Sequence, residues 1–358
     1  MNQKLKLQPL GIGSLPHKDI QKAMNIVEKD FGEIPFFPQL KNINKNEDMI
    51  IQFLEGMPSF FSQKPANFVI NPEKEQFYSD LEEFFADYEE ITENINSEKI
   101  EKYSISERFS VSFPYFENFI KKTKPKYAKG QITGPFTFTT SINDTGEKAI
   151  IFDETLRDIG VKLLTMKALW QIKRIKQANP DTTPIIFMDE PSVSQIGTSA
   201  YLSVSTDEIV DMIKEISQKI KENGGISAVH CCGKCDWRIP IKANVDILNF
   251  DAYTFSQNFS IYHKEIKEFL ENGGKIAWGF VPTSDGNILK TLTKEELAEK
   301  FIESVKYLTN NGIDEKLVID NSLITSSCGA GSLSEDDAQK AMDLVYELSK
   351  DLTARFTI

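Results

Sequence analysis

Residues 205–233 read STDEIVDMIKEISQKIKENGGISAVHCCG. Ile209, Met212, Ile213, Ile216 and Ile220 recur at i, i+3, i+4 spacing, which lays one apolar stripe along a helix, and Ser205-Thr206-Asp207 ahead of them is a capping region. Gly224-Gly225 stops that helix. The run that follows, residues 227–232, is short, apolar and of strand length, and it ends on His230, Cys231 and Cys232. A capped helix, a glycine stop and a buried strand make one unit of a parallel α/β sheet.

Working outward, the same grammar recurs at residues 293–311 before Gly312. It recurs again at 334–355, where Ala338, Met342, Val345 and Leu348 form the buried stripe. Strands are expected at about 10–15, 36–40, 128–133, 185–189, 227–232, 247–251, 275–281 and 317–324. Eight strands alternating with helices predict a (β/α)8 TIM barrel, and the absence of a repeat or low-complexity linker predicts one catalytic domain over residues 1–358. Residues 41–127, rich in Glu, Phe and Asn, are too long for a βα loop. They predict a helical and hairpin excursion inserted over the C-terminal rim, or in part a small packing subdomain.

The chain has 358 residues, 40% of them hydrophobic, enough for a sizeable core, and a formal net charge of −12. No Lys/Arg-dense window is present, which argues against a nucleic-acid partner and leaves a cationic protein partner open. Met1-Asn2-Gln3-Lys4-Leu5-Lys6 leads into Pro and Gly without an apolar leader core, and no run approaches the ~18 apolar residues of a membrane span. A cytoplasmic protein that does not enter a membrane is expected.

Four cysteines and three histidines are present, and Cys231, Cys232, Cys235 and His230 fall together. In a reducing compartment this cluster reads as metal or catalytic chemistry rather than a disulfide framework. Residues two apart on a strand project to one side, so His230 and Cys232 can point together while Cys231 points away. Cys328 ends the eighth expected strand and Asp251 the sixth, so all four emerge at the C-terminal face, where barrels place their active sites. One His, two thiolates and an exchangeable position make a catalytic rather than a structural Zn2+ site.

Other readings stand beside it. Cys232-Gly233-Lys234-Cys235 is also a C-x-x-C, a redox pair or half of a structural zinc site. Cys231 reads as a packed core thiol, Cys235 as a bystander or backup ligand, and His17 and His263 as surface or helix-start residues. Asp189 could be a strand-end cap.

Taken with Gly11-Ile12-Gly13-Ser14-Leu15-Pro16, Gly134-Pro135-Phe136-Thr137, Met188-Asp189-Glu190-Pro191 and Ser327-Cys328-Gly329, the cluster resembles the C-terminal catalytic barrel of cobalamin-independent methionine synthase. That family shares a superfamily with uroporphyrinogen decarboxylase, and the resemblance covers nearly the whole chain, as a short single-barrel form. It implies a zinc held by His230, Cys232 and Cys328, with Asp251, one methylene shorter, at the family's Glu position. It also implies Ile12 and Ser14 for a substrate carboxylate and Asp189 for an ammonium. The activity implied is methylation of a thiol, homocysteine first, to give methionine, with the zinc-activated substrate thiolate as nucleophile and none from the protein.

Full-length members carry an N-terminal second barrel with no counterpart in these residues. Their acid histidine after the seventh strand is replaced by Trp278-Gly279-Phe280-Val281-Pro282-Thr283. A methyl on folate nitrogen leaves only after protonation, whereas one on cobalt needs no proton, so a methylcorrinoid protein is the expected donor. The alternatives are another acceptor such as coenzyme M, or a non-catalytic zinc- or corrinoid-binding barrel. A decarboxylase would leave the thiolates idle.

Overall fold

The helix signatures around the opening stretch are met by side chains that satisfy otherwise unpaired backbone N–H groups. Ser205 and Glu208 form a complete capping box on the helix Thr206–Glu222, and Thr293 and Glu296 form another on Lys294–Thr309. The final helix runs Glu335–Phe356, with Ala338, Met342, Val345 and Leu348 buried. The computed structural model describes residues 5–64 and 67–356, so residues 1–4, part of the leader reading, lie outside the described residues.

Among the described residues the strands in chain order are β1 (Phe60–Lys64), β2 (Asn67–Ile70), β3 (Tyr127–Thr133), β4 (Asn143–Asp144), β5 (Thr183–Asp189), β6 (Ile226–Cys231), β7 (Ile247–Phe250), β8 (Lys275–Val281) and β9 (Ser322–Ser326). The fold is α/β. β3, β5, β6, β7, β8 and β9 form a six-stranded parallel sheet in that order, with helices between them.

The first two expected strands are not ladders. Residues 10–15 and 36–40 are extended segments joined by single bridges, Pro9 to Ile324, Ser14 to Gln39 and Phe36 to Lys129. Leu10 N donates to Ile324 O at 2.9 Å, Leu15 N to Gln39 O at 3.0 Å and Lys129 N to Pro35 O at 2.7 Å. Pro9, Pro16, Pro35 and Pro38 supply no N–H, which cuts each ladder to isolated bonds. The eighth expected strand also starts later. Residues 315–320 form a short helix because the Asp314 side chain accepts from Leu317 N at 2.9 Å, and the strand begins at Ser322.

Alternation along the parallel strands sorts side chains to two faces. Ile186, Met188, Val229, Cys231, Leu248 and Phe250 belong to the large core under the helices. Ile185, Phe187, Ile226, Ala228, Ile247, Ala277 and Leu323 form a second, smaller cluster with Leu5, Leu10 and Ile34. Asp189, His230 and Asn249 continue the second set and stand side by side, because the register pairs Asp189 with His230 and His230 with Asn249.

Residues 41–127 contain the antiparallel β1/β2 hairpin, the helices Phe77–Glu93 and Phe113–Thr123, and short 3-10 turns. The long helix Glu154–Ala178 fastens this region: Lys167 Nζ donates to Ser104 O at 2.8 Å, and Trp170 Nε1 and Lys173 Nζ both reach Glu101 at 3.0 Å.

Asp30, the last residue of the helix Ile20–Asp30, has its side chain fully buried, with no hydrogen-bond partner for either oxygen and Lys29 Nζ 3.5 Å away. Burial pushes its carboxyl from 3.8 up to about 6, with Lys29 opposing. Below pH 3.8 both folded and unfolded chains hold this proton, whereas between pH 3.8 and about 6 only the folded chain does. Stability from this group therefore falls as pH rises through that window. Urea titrations at pH 4 and 7 should show Asp30→Asn gaining about 2 kcal/mol over wild type across that interval; an unchanged difference between the two proteins would refute this.

Candidate metal centre

The His230 imidazole is oriented before any ligand is considered. Its Nδ1 lies 2.5 Å from Asn249 Oδ1, while Asn249 Nδ2 donates to Ala277 O at 2.8 Å and to Thr325 Oγ1 at 2.9 Å. With the amide nitrogen giving both donations, Oδ1 must accept, so the imidazole proton sits on Nδ1. Nε2 then carries a bare lone pair. It is buried and has no hydrogen-bond partner.

One nitrogen of His230 and the sulfurs of Cys232 and Cys328 all lie within 4.8 Å of one another. β6 delivers His230 and, two residues on, Cys232, while Cys328 arrives just past the end of β9. The Cys328 thiol donating to it, with His230 beside it, holds the Cys232 sulfur down to about 4, and Cys328, keeping the shared proton, is pushed up. One imidazole nitrogen and two sulfurs suit a borderline-soft cation such as zinc.

Asp251 stands apart from this group. Its Oδ1 accepts from Thr254 N at 3.0 Å as the N-cap of the helix Ala252–Ser260, and burial raises its carboxyl. Among the described residues no fourth His, Cys, Asp or Glu joins the three. Cys232 is grouped with Cys328 and His230, whereas Cys235, the other member of the C-x-x-C, belongs with Cys231 to the helix-side core. His263 opens the helix His263–Glu271. His17 is not on the surface; it follows Leu15-Pro16 into the interior, 4% exposed, with Nδ1 unpartnered.

The three residues border a cavity of about 510 Å3 that Ile12, Ser14 and Asp189 also line, with Lys41, Asp48 and Met49 from the start of the excursion. A slightly larger cavity, about 580 Å3, opens between the helices Glu154–Ala178 and Thr206–Glu222 and contains none of the cluster residues. We place the chemistry in the first, because it alone joins convergent ligand atoms to unpartnered buried polar groups.

Asp189 Oδ1 has no partner, and burial pushes the carboxyl up against the opposing charge of Lys129. Ser14 O accepts from Ala330 N at 2.9 Å and Ser14 Oγ from Gly331 N at 3.3 Å, which ties the Ile12–Ser14 loop to the segment carrying Cys328. Gly329 is required there, since a Cβ would fall 2.1 Å from Ser14 Oγ.

Glu190 accepts from Phe136 N and Thr137 N, each at 2.9 Å, and from the Thr137 hydroxyl at 2.7 Å, so two of the sequence motifs are clasped together. Burial raises its carboxyl to about 7. Asn249 and Lys129 escaped the sequence reading, and Glu190 entered it only as part of a motif; the strand alternation, which puts Asn249 two residues before Asp251, pointed to the first.

No family model matches the chain. The chain is similar to a methionine synthase. That protein, from Methanocaldococcus jannaschii, is 29% identical over 245 residues, which cover 66% of this chain and 69% of the relative. The likeness agrees in kind with the resemblance carried by the motifs.

Cys232→Ser and Cys328→Ser should each lose bound zinc, measured by elemental analysis after dialysis. Asn249→Leu should keep the fold but weaken zinc retention roughly 10- to 100-fold against a chromophoric chelator; retention equal to wild type would show that Asn249 does not orient the ligand.

Proposed function

We propose that this protein is a zinc-dependent thiol S-methyltransferase that converts homocysteine to methionine, on a single closed (β/α)8 barrel with the excursion on its rim. The observation that carries the reading is the convergence of one orphaned imidazole nitrogen and two sulfurs at a cavity, with no fourth His, Cys, Asp or Glu among the described residues joining the three. Closure of the barrel is supported by the bridges that link the first two segments to each other and to β9 and β3. The likeness to a methionine synthase supports the acceptor.

His230 through Nε2, Cys232 and Cys328 would hold the ion. A zinc ion there supplies the Lewis acidity that keeps a substrate thiol ionised at neutral pH. Ser14, whose Oγ accepts from Gly331, retains its own hydroxyl proton for the substrate carboxylate, and Asp189 offers its unpartnered oxygen to the ammonium. These two contacts aim the acceptor sulfur at the donor methyl, and this orientation rather than a protein nucleophile is what the chain contributes.

A new sulfur–carbon bond forms as the donor's bond to that carbon breaks, and the acceptor's proton leaves to solvent. With a methylcorrinoid donor the electron pair stays on cobalt and no acid is needed. Two features favour a separate methylcorrinoid protein as donor: residues 278–283 carry no titratable side chain, and Thr283 at that strand end is bonded to Ser327 and Cys328 O. No described helix is long and apolar enough to cross a membrane, and the four free thiols suit a reducing cytoplasm.

Purified zinc-loaded protein given homocysteine and methylcobalamin should form methionine by mass spectrometry, with methyltetrahydrofolate a poor substitute. Methylation of a different thiol with no methionine would overturn the acceptor. Tight zinc binding with no turnover on any thiol would overturn the enzyme reading.

A further inference from the structure

Lys129 has no task in the chemistry above. It lies in β3 at 0% exposure, its ammonium donating to the Ile12 carbonyl and, at 3.0 Å, to Gln131 Oε1, with the Phe187 ring centroid 4.9 Å away. Burying an ammonium is costly, and a methionine would fill much the same space without the charge. Something must use that charge.

The Ile12 contact shows what it does. A trans peptide is planar, so its C=O and N–H point to opposite sides, and the described residues contain no cis bond. Drawing the Ile12 carbonyl toward Lys129 in the interior therefore turns the Gly13 N–H the other way, and the residues on either side of it, Ile12 and Ser14, line the cavity. Gly13 itself sits at φ +154, a conformation side-chain-bearing residues avoid.

Other links of this loop are held by backbone bonds: Gln39 N to Gly13 O at 3.1 Å, Leu15 N to Gln39 O at 3.0 Å and Ala330 N to Ser14 O at 2.9 Å. The Ile12–Gly13 peptide is the link that a side chain orients. Gln131, the second acceptor, is itself anchored through Nε2 to Phe37 O at 3.1 Å.

We propose that Lys129 is a positioning residue for the acceptor's carboxylate, acting through the Ile12–Gly13 peptide so that the Gly13 N–H and the Ser14 hydroxyl form one anion-binding pair. The inference rests on the amino-acid acceptor proposed above. Asp189, the other charge that Lys129 feels, is not its direct partner: among the described residues no ion pair joins them. Its removal also takes away the charge that opposes the upward shift of the Asp189 carboxyl, so the effect should fall mainly on the carboxylate arm of the acceptor and less on the amine arm.

Three thiols separate the arms when titrated calorimetrically into zinc-loaded protein: homocysteine, 3-aminopropane-1-thiol, which lacks the carboxylate, and 4-mercaptobutanoate, which lacks the amine. Lys129→Met should weaken homocysteine and 4-mercaptobutanoate at least ~10-fold (about 1.4 kcal/mol). It should weaken 3-aminopropane-1-thiol clearly less than either carboxylate-bearing thiol and leave zinc content unchanged, and KM for homocysteine should rise with kcat little altered. A loss that follows the amine, or falls equally on all three thiols, overturns the proposal.

Lys129→Ala provides a second route if the Met variant does not fold. Added propylamine should restore carboxylate binding by refilling the vacated space, and a folded Ala variant that propylamine does not rescue also overturns it. If wild type binds homocysteine no better than 3-aminopropane-1-thiol, no carboxylate subsite exists and both readings fall. If wild type discriminates and Lys129→Met discriminates equally, only the role of Lys129 falls.

Discussion

The hydrogen bond between His230 Nδ1 and Asn249 Oδ1 joins two adjacent parallel strands, and the direction it imposes on the imidazole decides which nitrogen faces the two sulfurs. Asn249 can do this only because its amide nitrogen is already committed to Ala277 O and Thr325 Oγ1 on the next two strands. The chain of bonds runs through β6, β7, β8 and β9, so the aim of one ring is set by the register of four strands. A slip of one residue in β7 would move Asn249 to the helix side and leave the ring unsupported.

The rest of the centre hangs on that frame from both ends of the chain. Cys328 follows β9, and the segment just after it is bonded to Ser14 through Ala330 N and Gly331 N, with Gly329 allowing the close approach. Ser14 in turn pairs with Gln39, and Gln39 Nε2 donates to Gln52 Oε1 within the excursion. The Cys328 segment, the Ser14 loop and the excursion are thus one hydrogen-bonded body. This is the rigidity expected of a site that works by orientation.

Charge is concentrated in the same place. Asp189 lines the cavity, Lys129 and Glu190 are buried within range of its charge, and each of the three is shifted toward its neutral form by burial. Glu190 is satisfied by three donors from Phe136 and Thr137, so it holds the fold. Asp189 keeps one oxygen unpartnered beside the cavity, and a buried polar atom left open is costly unless a ligand meets it.

Local chemistry in the sequence determined the helices, the parallel strands and the candidate ligands. Helix stripes and Ser205 or Thr293 caps are written within a few residues, and the i, i+2 rule is enough to put His230 and Cys232 on one side with Cys231 on the other. The tertiary structure decided everything that depended on distant partners. Prolines cut residues 10–15 and 36–40 to single bridges, Asp314 turned an apolar run into a helix, and one oxygen of Asp251 became a helix cap. Asn249 and Lys129 gained their meaning only from neighbouring strands and loops. Propensity and capping are short-range and can be read along the chain, whereas the burial of a charge and the choice of its partner depend on what the folded chain brings beside it.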